Sequence, residues 1–217
     1  IDAYQVAYSS LSQLTRNPLD NRPLVQAFNA RIIQQIKLSI DEYPTSDLAY
    51  IYAIIENITE QTDIFIANSL PIRIFDHLYH PQIGQVYANR GASGIDGNIS
   101  TIMGLCQTDT SIPLIAILGD LATLVDINAL LMYKQCRRPL KIIVINNGGG
   151  DIFSMLPVSK QTDCFDAYFK MTHRHSIHEI ASGFGLKAAL VNHPSKIAGY
   201  EDTSIIECNS KGQWSEQ

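Results

Sequence analysis

The chain has 217 residues, a formal net charge of −5 and a hydrophobic fraction of 46%, which suits one sizeable globular core or one domain with part of another. The negative charge argues against a general nucleic-acid-binding protein, because neutralising phosphates requires clustered lysines and arginines. No apolar run approaches the roughly 20 residues that span a bilayer, and no leader pattern is present. We therefore expect a cytoplasmic protein with no nucleic-acid or membrane partner.

The first part of the chain, residues 1–45, has helical periodicity but no convincing chemistry. We interpret it as a linker or as the tail of a preceding middle domain, and we expect the chain to be part of a longer polypeptide. A boundary follows at residues 43–47, where Ser46 or Asp47 can cap a helix that starts at Leu48. Residues 46–217 are interpreted as a C-terminal domain.

From Asp63 onwards, apolar strands alternate with helical segments. Strands are predicted at residues 63–67, 85–88, 112–118, 140–145, 188–191 and 203–208. Helices are predicted at residues 70–79, from about 95 to 106, after Asp120, and at 177–184. This alternation predicts an α/β fold with an open, mostly parallel sheet and helices on both faces.

Successive predicted strands end in polar or glycine-containing turns. These turns are Asn68-Ser69, Asn89-Arg90-Gly91, Gly119-Asp120 and Asn146-Asn147-Gly148. Each turn alone has a structural interpretation, since Asn, Asp and Gly are the usual turn residues. In an open α/β sheet, however, ligands bind outside the carboxyl ends of the strands. The series of turns therefore favours a binding site at that edge.

Hard oxygen donors in these turns suit a magnesium ion that bridges to a phosphate. Asp120 and Asn147 follow strands that can be neighbours in a parallel sheet, so their side chains can converge. Gly149 could add its backbone carbonyl. The alternative for Asp120 is a helix N-cap. The glycine-rich residues 91–97 do not form a dinucleotide fingerprint, but they permit a close backbone approach to a phosphate or a ring system.

Gly119-Asp120, followed by Asn146-Asn147, resembles the cofactor-binding motif of thiamine diphosphate (ThDP) enzymes. With residues 68–73, 89–97 and 146–153, the series resembles the C-terminal cofactor part of the MenD family. These enzymes are the 2-succinyl-5-enolpyruvyl-6-hydroxy-3-cyclohexene-1-carboxylate synthases of menaquinone biosynthesis. The resemblance covers roughly residues 48–210, and the Arg-Gly-Ala-Ser-Gly-Ile-Asp-Gly block is its most specific part.

The resemblance implies ThDP and Mg²⁺ as cofactors, with Mn²⁺ as a possible substitute. The implied metal ligands are Asp120, Asn147 and the Gly149 carbonyl. The implied cofactor-binding residues are Asn68, Ser69, Gly94, Ile95, Gly119, Asp120, Leu121, Asn147 and Ile152. The implied substrate-binding residues are Ser69, Arg73, Arg90, Ile152 and Phe153. Ile95 would be the apolar wedge that keeps ThDP bent, and the arginines would bind substrate carboxylates.

The reaction implied by the resemblance is a decarboxylation of 2-oxoglutarate followed by addition of the succinyl-semialdehyde unit to isochorismate. In the family, the glutamate that activates the cofactor lies on an N-terminal pyrimidine-binding domain, and that domain is absent from this chain. No catalytic residue is therefore assigned here, and we expect the chain alone to be inactive. A homodimer or homotetramer is implied, with the site shared with the pyrimidine-binding domain of another subunit.

The sequence departs from the family pattern at three places. Gly148 replaces an asparagine, Asp151 replaces a glutamine and adds negative charge, and residues 194–204 look too short for the helix that precedes the last strand. The missing glutamate domain and the departures at Gly148 and Asp151 keep open a non-catalytic ThDP-binding or dimerisation module. Another ThDP-dependent 2-oxoacid decarboxylase is a further alternative, against which Arg73 and Arg90 argue. His173, His175 and His178 are interpreted as surface or substrate-loop histidines rather than metal ligands.

Overall fold

The computed structural model describes residues 22–58, 61–78, 83–92, 94–160, 162–200 and 204–211. The chain divides into two units, Ile1–Glu42 and Tyr43–Gln217. In the first unit the described residues form one helix, α1, Arg22–Glu42. The interpretation of residues 1–45 as a linker or domain tail stays a prediction. Across the described ranges, no helix has the length and apolar character needed to cross a membrane.

The second unit is built on a six-stranded sheet in which all pairings are parallel. Its strands are β1 (Asp63–Ile66), β2 (Val86–Tyr87), β3 (Leu114–Gly119), β4 (Leu140–Asn146), β5 (Ala188–Val191) and β6 (Ile205–Asn209). Their order across the sheet is β2-β1-β3-β4-β6-β5. The α/β fold and its parallel sheet are confirmed, because each strand-to-strand connection crosses over as the alternating pattern predicts.

Helical segments connect these strands. The α-helices are α2 (Asp47–Glu56), α3 (Leu70–Leu78), α4 (Asn98–Leu105), α5 (Asp120–Leu124), α6 (Thr162–Phe165) and α7 (Ile177–Gly183). Helix α6 continues as a π-helix over Asp166–Lys170. The 3₁₀ helices are Ile127–Gln135, Asp151–Met155, Pro157–Lys160 and Pro194–Gly199.

Each face of the sheet carries its own hydrophobic core. Along β4, Ile142 and Val144 point into one core, whereas Ile143 and Ile145 point into the other, as the two-residue period of a strand requires. Helices α4 and α7 cover the first face, and α2 and α3 cover the second. Both faces of the sheet are therefore buried from solvent, which explains why the central strands are almost continuously apolar.

Some element boundaries differ from the sequence prediction for local reasons. Helix α4 begins at Asn98 rather than near Ile95, because Gly97 has a left-handed backbone with φ of 69° and cannot belong to a right-handed helix. Strand β3 begins at Leu114 rather than Ile112, since Pro113 has no N–H to donate to a ladder. The 3₁₀ helix Pro194–Gly199 occupies the segment that looked too short for a helix. Predicted positions 79 and 203 lie outside the described residues.

Candidate functional site

A cavity of about 490 Å³ opens where β1, β3 and β4 end. Every site residue predicted from the sequence lines this cavity: Asn68, Ser69, Arg73, Arg90, Gly94, Ile95, Gly119, Asp120, Leu121, Asn147, Gly149, Ile152 and Phe153. Their convergence follows from the parallel sheet, which brings the carboxyl ends of neighbouring strands to one edge. The individual roles assigned to them stay predictions.

Asn68 ties the end of β1 to the glycine-rich loop. Its Nδ2 donates to the carbonyls of Asn89 and Gly94, each at 2.6 Å, and the residue is 1% exposed. Arg90 Nη1 lies 3.5 Å from Asn68 Oδ1. One buried amide therefore fixes the loop that carries Ile95, a half-buried side chain that packs on the core. Asn68 acts first as a scaffold for the cavity wall.

Ser69 stands in a conformation that serine rarely adopts. Its φ is 77°, in the left-handed region that costs a non-glycine residue of the order of 1–3 kcal/mol. The strained turn aims the Ser69 carbonyl at the first turn of α3, where it accepts a 2.6 Å hydrogen bond from Arg73 Nη1. The guanidinium of Arg73 is thereby held against the cavity wall although the residue is exposed.

Asp120 is the buried carboxylate at the end of β3. Its Oδ2 accepts a 2.8 Å hydrogen bond from the Gly149 backbone N–H, and Oδ1 accepts one from Leu121 N at 2.6 Å. His173 Nε2 lies 3.2 Å from Asp120 Oδ2, and this carboxylate raises the pKa of His173 against the opposing effect of burial. Asp120 therefore links β3, the glycine turn after β4 (residues 148–150) and the segment before α7.

His173 lies in the loop beside the cavity with a largely buried side chain, so it is not a surface histidine, and a role of this loop in substrate binding stays a prediction. Its side chain is only 8% exposed, and its backbone N–H donates to the Gly148 carbonyl at 3.1 Å. His178 binds the buried Glu207 through Nδ1 at 2.6 Å. These two histidines brace the loop beside the cavity. In the part of the chain that the structure describes, no group of His, Cys, Asp and Glu side chains forms a metal site.

Asn147 presents a buried side-chain oxygen that has no hydrogen-bond partner among the residues that the structure describes. Its Nδ2 donates to Asp47 Oδ2 at 2.8 Å, so the other end of the amide is directed elsewhere. Asn147 lines the same cavity as Asp120 and Gly149. A buried polar atom without a partner costs about 1–3 kcal/mol. A cation bound in this cavity would give Asn147 Oδ1 the partner that it lacks among the described residues.

The glycine turn has room for close approach and little tolerance for side chains. Gly149 has φ of 148°, and a Cβ on it would lie 2.5 Å from the Lys170 carbonyl. Gly148 has φ of 80°, and its nearest Cβ contact would be 3.7 Å away. Asparagine tolerates the left-handed region better than most residues. The Gly148 departure from the family pattern is therefore compatible with this turn.

Asp151 adds a further carboxylate to the cavity wall, as its sequence position predicts. It is 7% exposed, and its Oδ1 accepts a 3.0 Å hydrogen bond from Ser154 Oγ. Lys170 Nζ lies 3.7 Å from the same oxygen. The lysine, which comes from the π-helix after α6, offsets part of the negative charge that Asp151 brings.

The sequence did not indicate that Asp47 lines this cavity or that Lys170 contacts the cavity residue Asp151. The sequence allows either Ser46 or Asp47 as the helix cap. In the structure, the Ser46 side chain caps α2 by accepting a hydrogen bond from Ala49 N. Asp47 instead faces the cavity and holds Asn147. Nothing in the sequence around this acidic residue at the start of a helix predicts its contact with Asn147. The acidic residues that line the cavity are Asp47, Asp96, Asp120 and Asp151.

The donor set fits a small divalent cation. Asp120 offers a carboxylate, Asn147 offers an amide oxygen with no partner, and Gly149 offers a carbonyl at the same edge of the sheet. Magnesium prefers oxygen ligands and retains positions for phosphate and water. Asp120, Asn147 and Gly149 are therefore the residues that would hold a metal here.

Comparison with known proteins supports the same kind of site. Residues 73–203 match the family model of the thiamine pyrophosphate enzyme C-terminal TPP-binding domain. The chain is similar to 2-succinyl-5-enolpyruvyl-6-hydroxy-3-cyclohexene-1-carboxylate synthases. Identity is 37% to that of Roseiflexus castenholzii, over 73% of this chain and 28% of the relative. Identity is 42% to that of Haemophilus influenzae strain PittEE, over 58% of this chain and 22% of the relative.

The solved structure of benzoylformate decarboxylase from Polynucleobacter necessarius has a similar fold, with a TM-score of 0.61 and 14% identity over 75% of this chain and 32% of that one. The chain thus spans less than a third of the length of each of these proteins. The similarity to the decarboxylase concerns the fold alone.

The buried carboxyl of Asp47 gives the stability of the chain a specific pH dependence. Burial raises the pKa of Asp47 from 3.8 to about 6, and the nearby Asp151 and Asp120 add to the rise, against hydrogen bonds from Ser210 and Asn147. The folded state then binds the proton more tightly than the unfolded state does. The stabilisation is present at low pH and is lost as pH rises through about 6, by about 3 kcal/mol in total.

We predict that the free energy of unfolding of the wild type, relative to Asp47→Asn, falls by about 2–3 kcal/mol between about pH 4 and pH 7. Urea titrations in the presence of a chelator measure this difference without interference from a bound cation. The subtraction removes the titration of all other groups that the two proteins share. A difference that does not change with pH contradicts the raised pKa.

Proposed function

The chain belongs to the family of thiamine pyrophosphate enzyme C-terminal TPP-binding domains, and on that premise we propose that it is the diphosphate- and metal-binding part of a ThDP-dependent carboligase. Thiamine pyrophosphate and ThDP are the same cofactor. The proposed activity is the one after which the curated relatives are named, a synthase that forms 2-succinyl-5-enolpyruvyl-6-hydroxy-3-cyclohexene-1-carboxylate. The observation that carries the proposal is the buried Asn147 oxygen, which has no hydrogen-bond partner in the described part of the chain and lines the same cavity as Asp120.

In this proposal Asp120, Asn147 and the Gly149 carbonyl hold Mg²⁺, for which Mn²⁺ could substitute. When bound, the cofactor supplies the electron sink for decarboxylation of a 2-oxoacid. Gly119 and Leu121, which flank Asp120, and Gly94 leave backbone exposed to the cavity for a diphosphate or a ring. Ile95 provides a half-buried apolar edge, supported by the core beneath it. The protein thus contributes binding and orientation.

Two arginines on the cavity wall support a substrate with carboxylate groups. Arg73 follows the strained Ser69 turn, and Arg90 follows β2 and contacts Asn68. A guanidinium presents five N–H donors, so the hydrogen bond from Arg73 to the Ser69 carbonyl leaves donors for a carboxylate. Planar guanidinium groups bind carboxylates in a bidentate manner. We propose 2-oxoglutarate and isochorismate as the substrates, with the Ser69 hydroxyl near them.

Two apolar side chains also line the cavity. Ile152 and Phe153 lie in the 3₁₀ helix after the glycine turn. The Phe153 ring contacts Phe169 edge-to-face, with ring centroids 6.2 Å apart. This wall would exclude water from the reacting carbons while the arginines bind the polar ends of the substrates. The expected products are CO₂ and the succinyl cyclohexene carboxylate of menaquinone biosynthesis.

The proposal includes a partner subunit. The glutamate that activates the cofactor would come from a pyrimidine-binding domain of another copy, so the working assembly would be at least a dimer. We propose a cytoplasmic location, in keeping with the composition and charge of the chain. A non-catalytic cofactor-binding module is the alternative in which no such partner domain acts.

An activity assay on a chimera tests the proposed function. In the chimera, this chain replaces the matching C-terminal part of the Roseiflexus castenholzii relative. With ThDP, Mg²⁺, 2-oxoglutarate and isochorismate, we expect CO₂ and the succinyl cyclohexene product in equal amounts, and we expect this chain alone to form neither. The intact relative serves as the positive control. A folded chimera that binds ThDP but forms no product would favour the non-catalytic module, and release of CO₂ from pyruvate in preference to 2-oxoglutarate would favour another decarboxylase.

Substitution of the cavity arginines tests the assignment of the substrates. In the active chimera, Arg73→Gln and Arg90→Gln should each lower kcat/KM by roughly 10- to 100-fold, because each removes a charge-assisted hydrogen bond worth about 1.5–3 kcal/mol. Steady-state CO₂ release at varied 2-oxoglutarate and isochorismate identifies the substrate affected. Arg137→Gln, at an exposed arginine outside the cavity lining, is the matched control. Unchanged kinetics in both cavity variants would contradict the carboxylate-binding role.

A further inference from the structure

We propose that Asp47 is a positioning residue that fixes the orientation of the Asn147 amide and so directs Asn147 Oδ1 towards a divalent cation. The inference rests on the proposed function, because it deepens the metal-binding role given there to Asn147. It concerns a residue to which the sequence pattern gives only a possible capping role and to which the family resemblance gives none.

The contact joins two distant parts of the chain inside the protein. Asp47 is the first residue of α2, and Asn147 follows β4, a separation of 100 positions. Asn147 Nδ2 donates to Asp47 Oδ2 at 2.8 Å, and Asp47 is 1% exposed. A hydrogen bond in this low-dielectric environment is stronger than one in water. The contact can therefore determine which way the amide points.

A carboxylate selects one of the two orientations of a neighbouring amide. The two ends of an asparagine side chain have nearly the same size, but one end only donates hydrogen bonds and the other only accepts them. An ionised carboxylate only accepts, so it binds the NH₂ end. Asn147 Oδ1 must then point away from Asp47, and it is buried with no partner. With the amide reversed, its NH₂ group would face the cation and repel it.

Both oxygens of Asp47 accept hydrogen bonds, and these contacts hold the carboxylate in one position. Oδ2 accepts from Asn147, and Oδ1 accepts a very short hydrogen bond from Ser210 Oγ. Ser210, just after β6, is fixed in turn because its backbone N–H donates to the Asn146 carbonyl at 2.9 Å. The carboxylate is thus clamped between the ends of β4 and β6. It has the rigidity that a residue acting through another residue needs.

The neighbouring asparagine shows the same arrangement. Asn146 Nδ2 donates to the buried Glu207 Oε1 at 2.6 Å, and Asn146 Oδ1 accepts from Gly148 N at 3.1 Å. The Asn146 oxygen that is oriented in this way holds the glycine turn through its hydrogen bond from Gly148 N. By the same logic, the oriented oxygen of Asn147 is placed for a ligand. Both asparagines of the turn are thus set by buried carboxylates from other elements.

The test measures Mn²⁺ affinity by electron paramagnetic resonance, in the presence of ThDP, for the wild type, Asp47→Leu and Asp47→Asn. Loss of an outer-shell partner typically weakens metal binding by about 10- to 100-fold, and we expect a loss of this size for Asp47→Leu. Asp47→Asn keeps an acceptor oxygen and should lose about twofold, since an amide can present either end. Equal large losses in both variants would overturn the inference, because they would indicate a role for the charge alone.

A control variant separates positioning from general stability. Asp63 is a second buried carboxylate, at the start of β1, and is bound to Arg138 at 2.8 Å. Asp63→Asn should lower the temperature of unfolding and leave the Mn²⁺ affinity unchanged. If Asp47→Leu binds Mn²⁺ as the wild type does, the inference fails and the proposed function stands. If the wild type itself binds no Mn²⁺, the metal role in the proposed function fails.

A spectroscopic measurement on the wild type examines the hydrogen bond without any metal. In ¹⁵N-resolved spectra, the Asn147 side-chain NH₂ protons should exchange with water at least tenfold more slowly than those of the exposed Asn128. Asp47→Asn should keep part of this protection. Equal exchange of Asn147 and Asn128 in the wild type would overturn the inference even if Asp47→Leu does not fold.

Discussion

The site depends on the parallel pairing of β3 with β4. In that register Gly119 lies opposite Ile145, so the residues that follow the two strands start from the same edge of the sheet. Asp120 can therefore reach the Gly149 N–H at 2.8 Å, and Asn147 reaches the same cavity. A shift of the register would separate the carboxylate from the glycine turn. Alternate side chains of these strands pack into two different cores, which holds the register and thus also fixes the chemistry.

The resulting cavity concentrates negative charge in a largely buried place. Asp120 and Asp151 both add to the pKa rise that burial imposes on Asp47. Lys170 lies 3.7 Å from Asp151 and offsets part of the repulsion, and His173 Nε2 lies 3.2 Å from Asp120. A divalent cation would favour the ionised carboxylates further. Cation binding and folding stability should therefore be coupled in this chain.

The sequence was sufficient to predict the fold class and the main wall of the cavity, because both follow from local signals. Apolar strands ending in polar turns identify the strands, and the parallel topology then brings the turns together. Contacts between distant segments could not be predicted in this way. The hydrogen bond from Asn147 to Asp47 and the approach of His173 to Asp120 depend on how α2 and the loop before α7 pack. At Gly97, a single left-handed residue was enough to move a helix boundary.

Anomalous X-ray scattering can test the proposed binding of a divalent cation between the ends of β3 and β4. Crystals of the chain grown with Mn²⁺ and ThDP would be measured at a wavelength where manganese scatters anomalously. We predict one strong peak bounded by the Asp120 carboxylate, Asn147 Oδ1 and the Gly149 carbonyl. Density for bound ThDP with no manganese peak at that position, or with the peak at other residues, would contradict the claim.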